Sequence, residues 1–575
     1  MRRTLSCSLL LLASAGTAHA EPVELDIDVI GPRWEGVDFH DNFGWRVVSP
    51  GDLNGDGRSD FAVTGPQDDG PSTFDSTVRV FLGRAGQPPA EGLADWADGS
   101  FYDGAADDDS VFRFAIIEDT GSDGEPELVV AQPNAGAAGV VHMYEGDGTW
   151  TGLTSSADAS VTWEGYVQTE FDALADETRP SDVAGGDFDG DGQTDVAIAS
   201  AIFNRVWVDY AGDGLAGGSL ANLTDFWTSC SDDFPGAGFG SAIAAGNFNG
   251  DAWEDLAIGA PGCNGDVGEI HVLYGSAAGL PASADLVIPG GDRLGARLFA
   301  DDLNGDGLDE LFAQELQSGD NENKGNLWIF SGNAGGLSAT PSTKVLAGFS
   351  DGRLGASVAI LRDISNPPDG VSELVVGSPE ASLSGVGQGA VYIFEGQDPW
   401  PAELQVSDAR YRVDGSNLNT WFGQSLATLD DFNGDGYPEI VIGEPNYSAD
   451  NSENEFHRGR IYMFRALPDR DEDGDNVSTL NGDCDDTDAE IRPGVFEQCN
   501  GYDDNCNHEI DEGCGDDDDD ATTDDDDTVL GDDDDTTSEG GCDCESSMAG
   551  GSAPGAIFAL LLLLAGAFVR RTIRE

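Results

Sequence analysis

The chain has 575 residues, and its 109 acidic side chains against 26 basic ones give a formal net charge of −83. That charge argues against binding nucleic acid or an anionic membrane surface, both of which need a cationic face. Apolar residues make up 39% of the chain, enough for a core, while 79 glycines and 25 prolines point to a turn-dense, all-β architecture rather than a helical one.

Arg2 and Arg3 precede the apolar run Leu9–Leu12, and Ala18-His19-Ala20 offers small residues where a signal peptidase reads. This predicts a signal peptide over residues 1–20 and export to an oxidising compartment. Val23–Ile30 (VELDIDVI) then alternates as a strand with no repeat ahead of it.

From there one unit recurs. It reads GDLNGDGRSDFAVTGP from Gly51, GDFDGDGQTDVAIAS from Gly186, GNFNGDAWEDLAIGAP from Gly246, DDLNGDGLDELFAQ from Asp301 and DDFNGDGYPEIVIGEP from Asp430. Degenerate copies start at Glu118 and Arg362, and the loop starts at 52, 119, 187, 247, 302, 363 and 431 are 55 to 68 residues apart. In most copies a strand after Phe-Gly or Leu-Gly runs into the Asp-rich turn. An apolar strand leaves it, a third strand such as VRVFLG alternates, and a variable fourth follows. Four antiparallel strands per repeat make one propeller blade, so the fold class is all-β, a seven-bladed β-propeller over residues 21–466. The seventh copy has no fourth strand after Arg465, so Val23–Ile30 is predicted to complete that blade and close the ring.

The order Phe43-Gly44, Asp-rich loop, Gly65-Pro66, with Gly259-Ala260-Pro261, Gly377-Ser378-Pro379 and Gly443-Glu444-Pro445 elsewhere, resembles the FG-GAP repeats of the integrin-alpha N-terminal propeller. The resemblance implies a binding platform with calcium held in loops on one face. The third copy departs from it in lacking a clear Phe-Gly or Pro, and the second and sixth have damaged loops.

The loop pattern D-x-[DN]-x-D-G-x-x-[DE] offers oxygen side chains at positions 1, 3, 5 and 9, a donor set for a hard cation such as Ca²⁺. The candidate ligands are Asp52, Asn54, Asp56 and Asp60; Asp187, Asp189, Asp191 and Asp195; Asn247, Asn249, Asp251 and Asp255; Asp302, Asn304, Asp306 and Glu310; and Asp431, Asn433, Asp435 and Glu439. Asp309 competes with Glu310 for the last position of its loop, and the loop at Asn247 lacks the glycine at position 6. In the second copy Gly121 replaces the position-3 ligand, and the sixth has an insertion between Asp363 and Asp369, so both are expected to be metal-free turns. Cys230 and Cys263 are the expected disulfide of this region.

Residues 467–514 form a different, disulfide-rich acidic module. Asp469, Asp471, Asp473 and Asp475 alternate, and GDCDD-x-D with C-x-G-x-D-x-x-C resembles the bacterial MopE-type metal-binding module. That family's name suggests copper, whereas the acidic oxygens favour Ca²⁺; zinc is the competing reading, and Cys484, Cys499, Cys506 and Cys514 allow three pairings. Residues 515–545 carry three aspartate runs, a self-repelling disordered linker. In residues 546–575, Ala553–Val569 is an uncharged run long enough for a membrane helix, followed by Arg570, Arg571 and Arg574. With Cys542 and Cys544 ahead of it, this resembles a MYXO-CTERM sorting signal, so the chain is expected at the cell surface, either anchored by the helix or processed.

Together these readings give a calcium-binding, exported cell-surface protein that serves adhesion or recognition of an extracellular protein or glycan, with no nucleic-acid partner. A structural or ion-storing envelope component is the alternative, and an exported hydrolase or lyase on a propeller scaffold a third. Trp34, Phe101, Tyr102, Trp227, Trp421 and the loop 446–458 are candidates for the ligand face. With five scattered histidines in the mature chain and no H-E-x-x-H, the chain is expected not to be an enzyme.

Overall fold

The structure, a computed structural model, describes residues 23–466 apart from 26–31, 37–40, 66–76, 86–90, 94–96, 103–112, 119, 121–124, 134–137, 147, 166, 169–175, 178–179, 213, 228–237, 317–324, 349–351, 365–369, 383–386, 416–418 and 449–456, together with residues 491, 492 and 495. Seven sheets follow one another around a central channel, each an antiparallel blade numbered here in chain order by its innermost strand. Those innermost strands are Arg46–Gly51, Arg113–Ile117, Asp182–Gly186, Ile243–Gly246, Leu294–Asp301, Ser357–Leu361 and Ser425–Leu429.

The second strand of every blade (DFAVTG, ELVVAQ, DVAIAS, DLAIGA, ELFAQE, ELVVGS, EIVIGE) is buried at all six residues. A strand in the middle of a sheet, with a neighbouring blade on each face, has no solvent side. Its sequence is therefore a near-continuous apolar run instead of an alternation.

The ring closes one strand later than the sequence suggests. Arg33–Glu35 pairs antiparallel with Arg460–Arg465 as the outer strand of blade 7, setting Trp34 opposite Ile461. Trp34 is fully buried, with ring centroids 6.4 Å from Phe61 and 6.2 Å from Phe81 of blade 1. Val23–Leu25 instead pairs parallel with Tyr411–Asp414, the outer strand of blade 6.

A recurring clasp explains the difference. The segment leading to a blade's outer strand lies parallel on the outer strand of the preceding blade: Glu91–Leu93 on blade 7, Gly152–Ser155 on blade 1, Gly218–Ser219 on blade 2 and Glu403–Gln405 on blade 5. Val23–Leu25 fills that slot on blade 6 and leaves the closing position to the next segment. Each clasp covers a strand edge that would otherwise offer unpaired backbone groups to another chain.

The Phe-Gly and Gly-x-Pro pairs form the seams between blades. Gly44, Gly240, Gly355 and Gly423 have φ of +93°, +86°, +79° and +83°, a region that suits glycine. Their N–H groups donate to Thr64, Gly259, Gly377 and Gly443 of their own blades at 2.8–3.1 Å. Their carbonyls face the preceding blade, where Ser181 Oγ donates to Gly240 O at 2.7 Å, Ser357 Oγ to Gly423 O at 2.8 Å and Ser425 Oγ to Gly44 O at 2.8 Å. The last of these joins blade 7 to blade 1. Blade 3, without Phe-Gly, keeps the geometry through Ser181, whose N–H donates to Ala199 O at 2.7 Å.

Among the described residues no helix is long and apolar enough to cross a membrane. The signal peptide, the cysteine module apart from residues 491, 492 and 495, the aspartate linker and the run Ala553–Val569 lie outside the described residues.

Candidate metal centre

In the five intact copies the innermost strand runs into its Asp-rich loop at one end of the channel. In four of the five intact loops position 1 accepts twice or more from the backbone. Asp431 Oδ1 takes the N–H of Gly434 at 2.7 Å and of Asp435 at 3.0 Å, and its Oδ2 takes that of Gly436 at 2.9 Å. Asp187 and Asp302 do the same for their own loops, and Asp52 accepts from Asp56 N and Gly57 N. Position 5 accepts from the residue two further on in all five, as when Gln193 N donates to Asp191 Oδ1 at 2.9 Å. These turns draw positions 1, 3 and 5 around one small volume, and the glycines at φ of about +70° to +87° allow the bend.

Position 9 has a second task that its ligand pattern does not disclose. Its carboxylate accepts the N–H of loop position 2 in all seven blades. Asp60 takes Leu53 at 2.7 Å, Asp195 takes Phe188 at 3.0 Å, Asp255 takes Phe248 at 3.0 Å, Glu310 takes Leu303 at 3.1 Å and Glu439 takes Phe432 at 2.8 Å. In the two degenerate copies Glu127 takes Thr120 at 3.0 Å and Glu373 takes Ile364 at 3.1 Å. The clip survives where the metal pattern is lost, so it belongs to the fold. Asp309 does not share this place: its Oδ2 accepts Asn247 N of the preceding blade at 2.6 Å, which leaves Glu310 as position 9.

The loops are also tied to one another. Glu254 N donates to Asp187 O at 3.1 Å, Asp309 N to Asn247 O at 3.0 Å and Ser59 N to Asp431 O at 3.2 Å, each across a seam. Anything that rigidifies one loop is therefore felt by the next blade.

The electrostatics are those of carboxylates crowded at the edge of a core. Burial, reinforced by the loop's other acids, pushes Asp60 up to about 6, Asp195, Asp255 and Glu439 to about 7, and Glu310 to about 8. Backbone N–H groups oppose this without cancelling it. A cation between the carboxylates removes the repulsion, and the all-oxygen donor set fits a hard divalent ion. Asp187, Asp189 and Asp195 each bring a carboxylate oxygen within 4.8 Å of the others, as do Asp431, Asp435 and Glu439. Asp435 also meets Arg465 Nε at 3.1 Å. Asp52, Asp56 and Asp60 form no such triple, nor do Asp302, Asp306 and Glu310, and the loop at Asn247 has amides at positions 1 and 3.

Asp469, Asp471, Asp473 and Asp475 lie outside the described residues. Of the ligand-face candidates, Trp34 and Phe101 are core residues; Phe101 packs on Tyr144 and Trp150 at 5.1 and 5.9 Å. Trp421 is half-buried and pairs with Trp45 at 5.7 Å, an aromatic contact the sequence reading missed because Trp45 follows the Phe-Gly instead of preceding it. The side chains of Tyr102 and Trp227 and most of the loop 446–458 are outside the described set. Cys263 is fully buried and disulfide-bonded, and Cys230 lies outside the described residues.

The FG-GAP repeat family matches residues 43–81, 239–273 and 422–462, and the metal-binding motif family Cu-binding_MopE matches residues 483–512. The chain is a seven-bladed β-propeller with FG-GAP repeats matched in blades 1, 4 and 7. Integrin alpha-5 of Xenopus laevis is 31% identical over 218 residues, covering 36% of this chain and 20% of that protein. Integrin alpha-PS2 of Drosophila melanogaster is 28% identical over 239 residues, covering 40% and 16%. Phosphatidylinositol-glycan-specific phospholipase D of Homo sapiens is 28% identical over 233 residues, covering 37% and 27%. The chain thus spans between 16% and 27% of the length of these relatives.

The third relative corrects the expectation that the chain is not an enzyme. A protein named as a phospholipase shares the repeat region, so the repeats do not mark a non-enzyme. The missing H-E-x-x-H motif excludes one chemistry only, because a propeller is a scaffold onto which different sites are grafted.

Proposed function

We propose that the chain is an exported, calcium-loaded recognition protein of the cell surface, with the ligand face of its propeller on the side away from the Asp loops. The observation that carries this is the set of five loops that keep oxygen donors at positions 1, 3, 5 and 9, with loop-to-loop hydrogen bonds across three blade seams. Calcium is the ion that suits this donor set, and Asp187/Asp189/Asp195 and Asp431/Asp435/Glu439 are the first two sites to fill. The similarity to integrin alpha chains supports a role in binding an extracellular protein or glycan. In this reading residues 1–20 are removed on export, residues 467–514 add a further metal site using Asp469, Asp471, Asp473 and Asp475, and residues 515–575 connect the propeller to the envelope.

The ions rigidify seams and hold the opposite face in shape. Ligand binding is therefore calcium-dependent even though no ligand atom touches an ion. A screen of glycans and envelope proteins against the mature chain, with and without chelator, tests this. A partner captured only in calcium supports it; partners bound equally after chelation would overturn the calcium-dependent platform.

A further inference from the structure

The central channel holds a feature unconnected with the Asp loops. It encloses a cavity of about 420 Å³ lined by the innermost strands of all seven blades. One rung of this lining consists of a single equivalent residue from each blade, opposite the fifth residue of the second strand. Arg46 lies opposite Thr64, Arg113 opposite Ala131, Asp182 opposite Ala199, Ser357 opposite Gly377 and Ser425 opposite Gly443. Ala242 and Arg297 hold the rung in blades 4 and 5, each one residue before a paired Ile243 or Leu298.

This rung lies at the Phe-Gly end of the strands, away from the Asp loops. It concentrates three of the 26 basic residues of a chain that has 109 acidic ones. The charged side chains lining the cavity are Arg46, Arg113, Arg297, Asp182 and Asp301. Asp301 is four residues beyond Arg297 on the same strand, about 13 Å toward the loops. At the rung itself three guanidinium groups thus face one carboxylate.

Asp182 is already engaged. Its Oδ1 meets Arg46 Nη1 at 3.2 Å, and its Oδ2 accepts Ile243 N at 3.2 Å. Arg113 and Arg297 make no side-chain hydrogen bond or ion pair among the described residues. The nearby Arg353 is paired with Glu380 at 3.2 Å. Burial pulls Arg113 down to about 10, and Arg297 is lowered chiefly by the charge of Arg113. Two like charges held together with one shared counter-ion form an arrangement that an added anion relieves.

We propose that this end of the channel binds a small oxyanion, or the carboxylate, sulfate or phosphate group of a small ligand, between Arg46, Arg113 and Arg297. Planar guanidinium groups suit such groups by bidentate bonding. The cavity lies at the small end of ligand-site volumes, so it takes one such group and not a polyanion. The half-buried pair Trp45 and Trp421 stands beside the rung, Trp45 in the cavity lining, and offers an apolar wall to the remainder of the ligand. The field of the −83 charge repels free polyanions, which favours a ligand that is neutral or singly charged overall.

This site goes beyond the calcium reading and does not depend on it. The test titrates sulfate into the full chain in exchange for chloride at constant ionic strength, by calorimetry and thermal melting, with Arg113→Gln and Arg297→Gln alongside. The expected result is one saturable site whose affinity falls at least tenfold in each variant. In the absence of sulfate both variants should melt at or above the wild-type temperature, because the unrelieved repulsion is gone, which separates lost binding from misfolding. No saturable binding, or equal sulfate stabilisation of wild type and variants, would overturn the proposal.

Discussion

Gly443→Ala tests the seam reading of the repeat most sharply. Gly443 sits on the second strand of blade 7 against Gly44 of blade 1. An added Cβ would lie 3.1 Å from the Gly44 carbonyl carbon and closer still to its oxygen and to Ser425 Oγ. The oxygen is backbone and cannot turn away, so the seam must open by something on the order of an ångström. Overpacking of this kind costs about 1–3 kcal/mol. Opening the seam also loses the Ser425 to Gly44 hydrogen bond, about 1 kcal/mol more. A ring of roughly 430 residues unfolds with an entropy near 0.9 kcal/mol per degree, so the combined loss of about 2–4 kcal/mol lowers the melting temperature by about 2–4 °C. Scanning calorimetry reads this, with Gly335→Ala as control, since Gly335 is exposed and its added Cβ meets only the end of Asn333 at 3.2 Å. If Gly443→Ala melts with the control, the close glycine seam is not what the motif provides.

Other predictions rest on the loops and the closure. Trp34→Ala empties the interface that closes the ring and should destabilise by about 3–5 kcal/mol, measured by denaturant unfolding. Asp195→Asn keeps an oxygen for the Phe188 N–H but turns an amide N–H toward Ala211 N, which Asp195 Oδ1 accepts at 2.8 Å, so it should weaken calcium binding at that loop and lower calcium-free stability by about 1 kcal/mol; Asp195→Ala, which leaves both N–H groups unpaired, should cost more. Folded position-9 carboxylates titrate at about 6 to 8, above their unfolded values near 4, so the folded state binds more protons across that window. Calcium-free stability should therefore fall as pH rises from about 4 to about 8. The melting-temperature gain on adding calcium should be larger at pH 8 than at pH 5, since calcium and protons compete for the same oxygens. A flat calcium-free profile would count against this.

The repeat arithmetic made the seven blades legible because the turn chemistry is local: Asp, Asn and Gly at fixed offsets report each inner hairpin directly. Closure was misassigned for a reason equally physical. Val23–Ile30 alternates like a strand and Arg33–Glu35 is too short to stand out, yet which of them pairs with Arg460–Arg465 depends on the clasp between neighbouring blades, a non-local rule that no single repeat displays. The loop residues could be read, but not the double duty of position 9, since a buried carboxylate serving a backbone N–H has the same sequence as one awaiting an ion. Glu127 and Glu373 separate the two roles by keeping the clip in loops that have lost the ligand pattern. The arginine rung was invisible for a related cause: Arg46, Arg113 and Arg297 lie 67 and 184 residues apart in sequence and meet only when the ring is closed.

Calorimetric titration of Ca²⁺ into the chelated mature chain, with melting curves, bears most directly on the central claim. Extracellular sites of this type bind at about 10⁻⁴ to 10⁻³ M. At about 10 mM calcium each occupied site then adds about 1.4–2.7 kcal/mol of stability. The account predicts five or six sites and a correspondingly large rise in melting temperature. No saturable binding and no stabilisation would mean that the Asp loops are only turns, and would contradict the calcium-loaded platform while leaving the propeller itself intact.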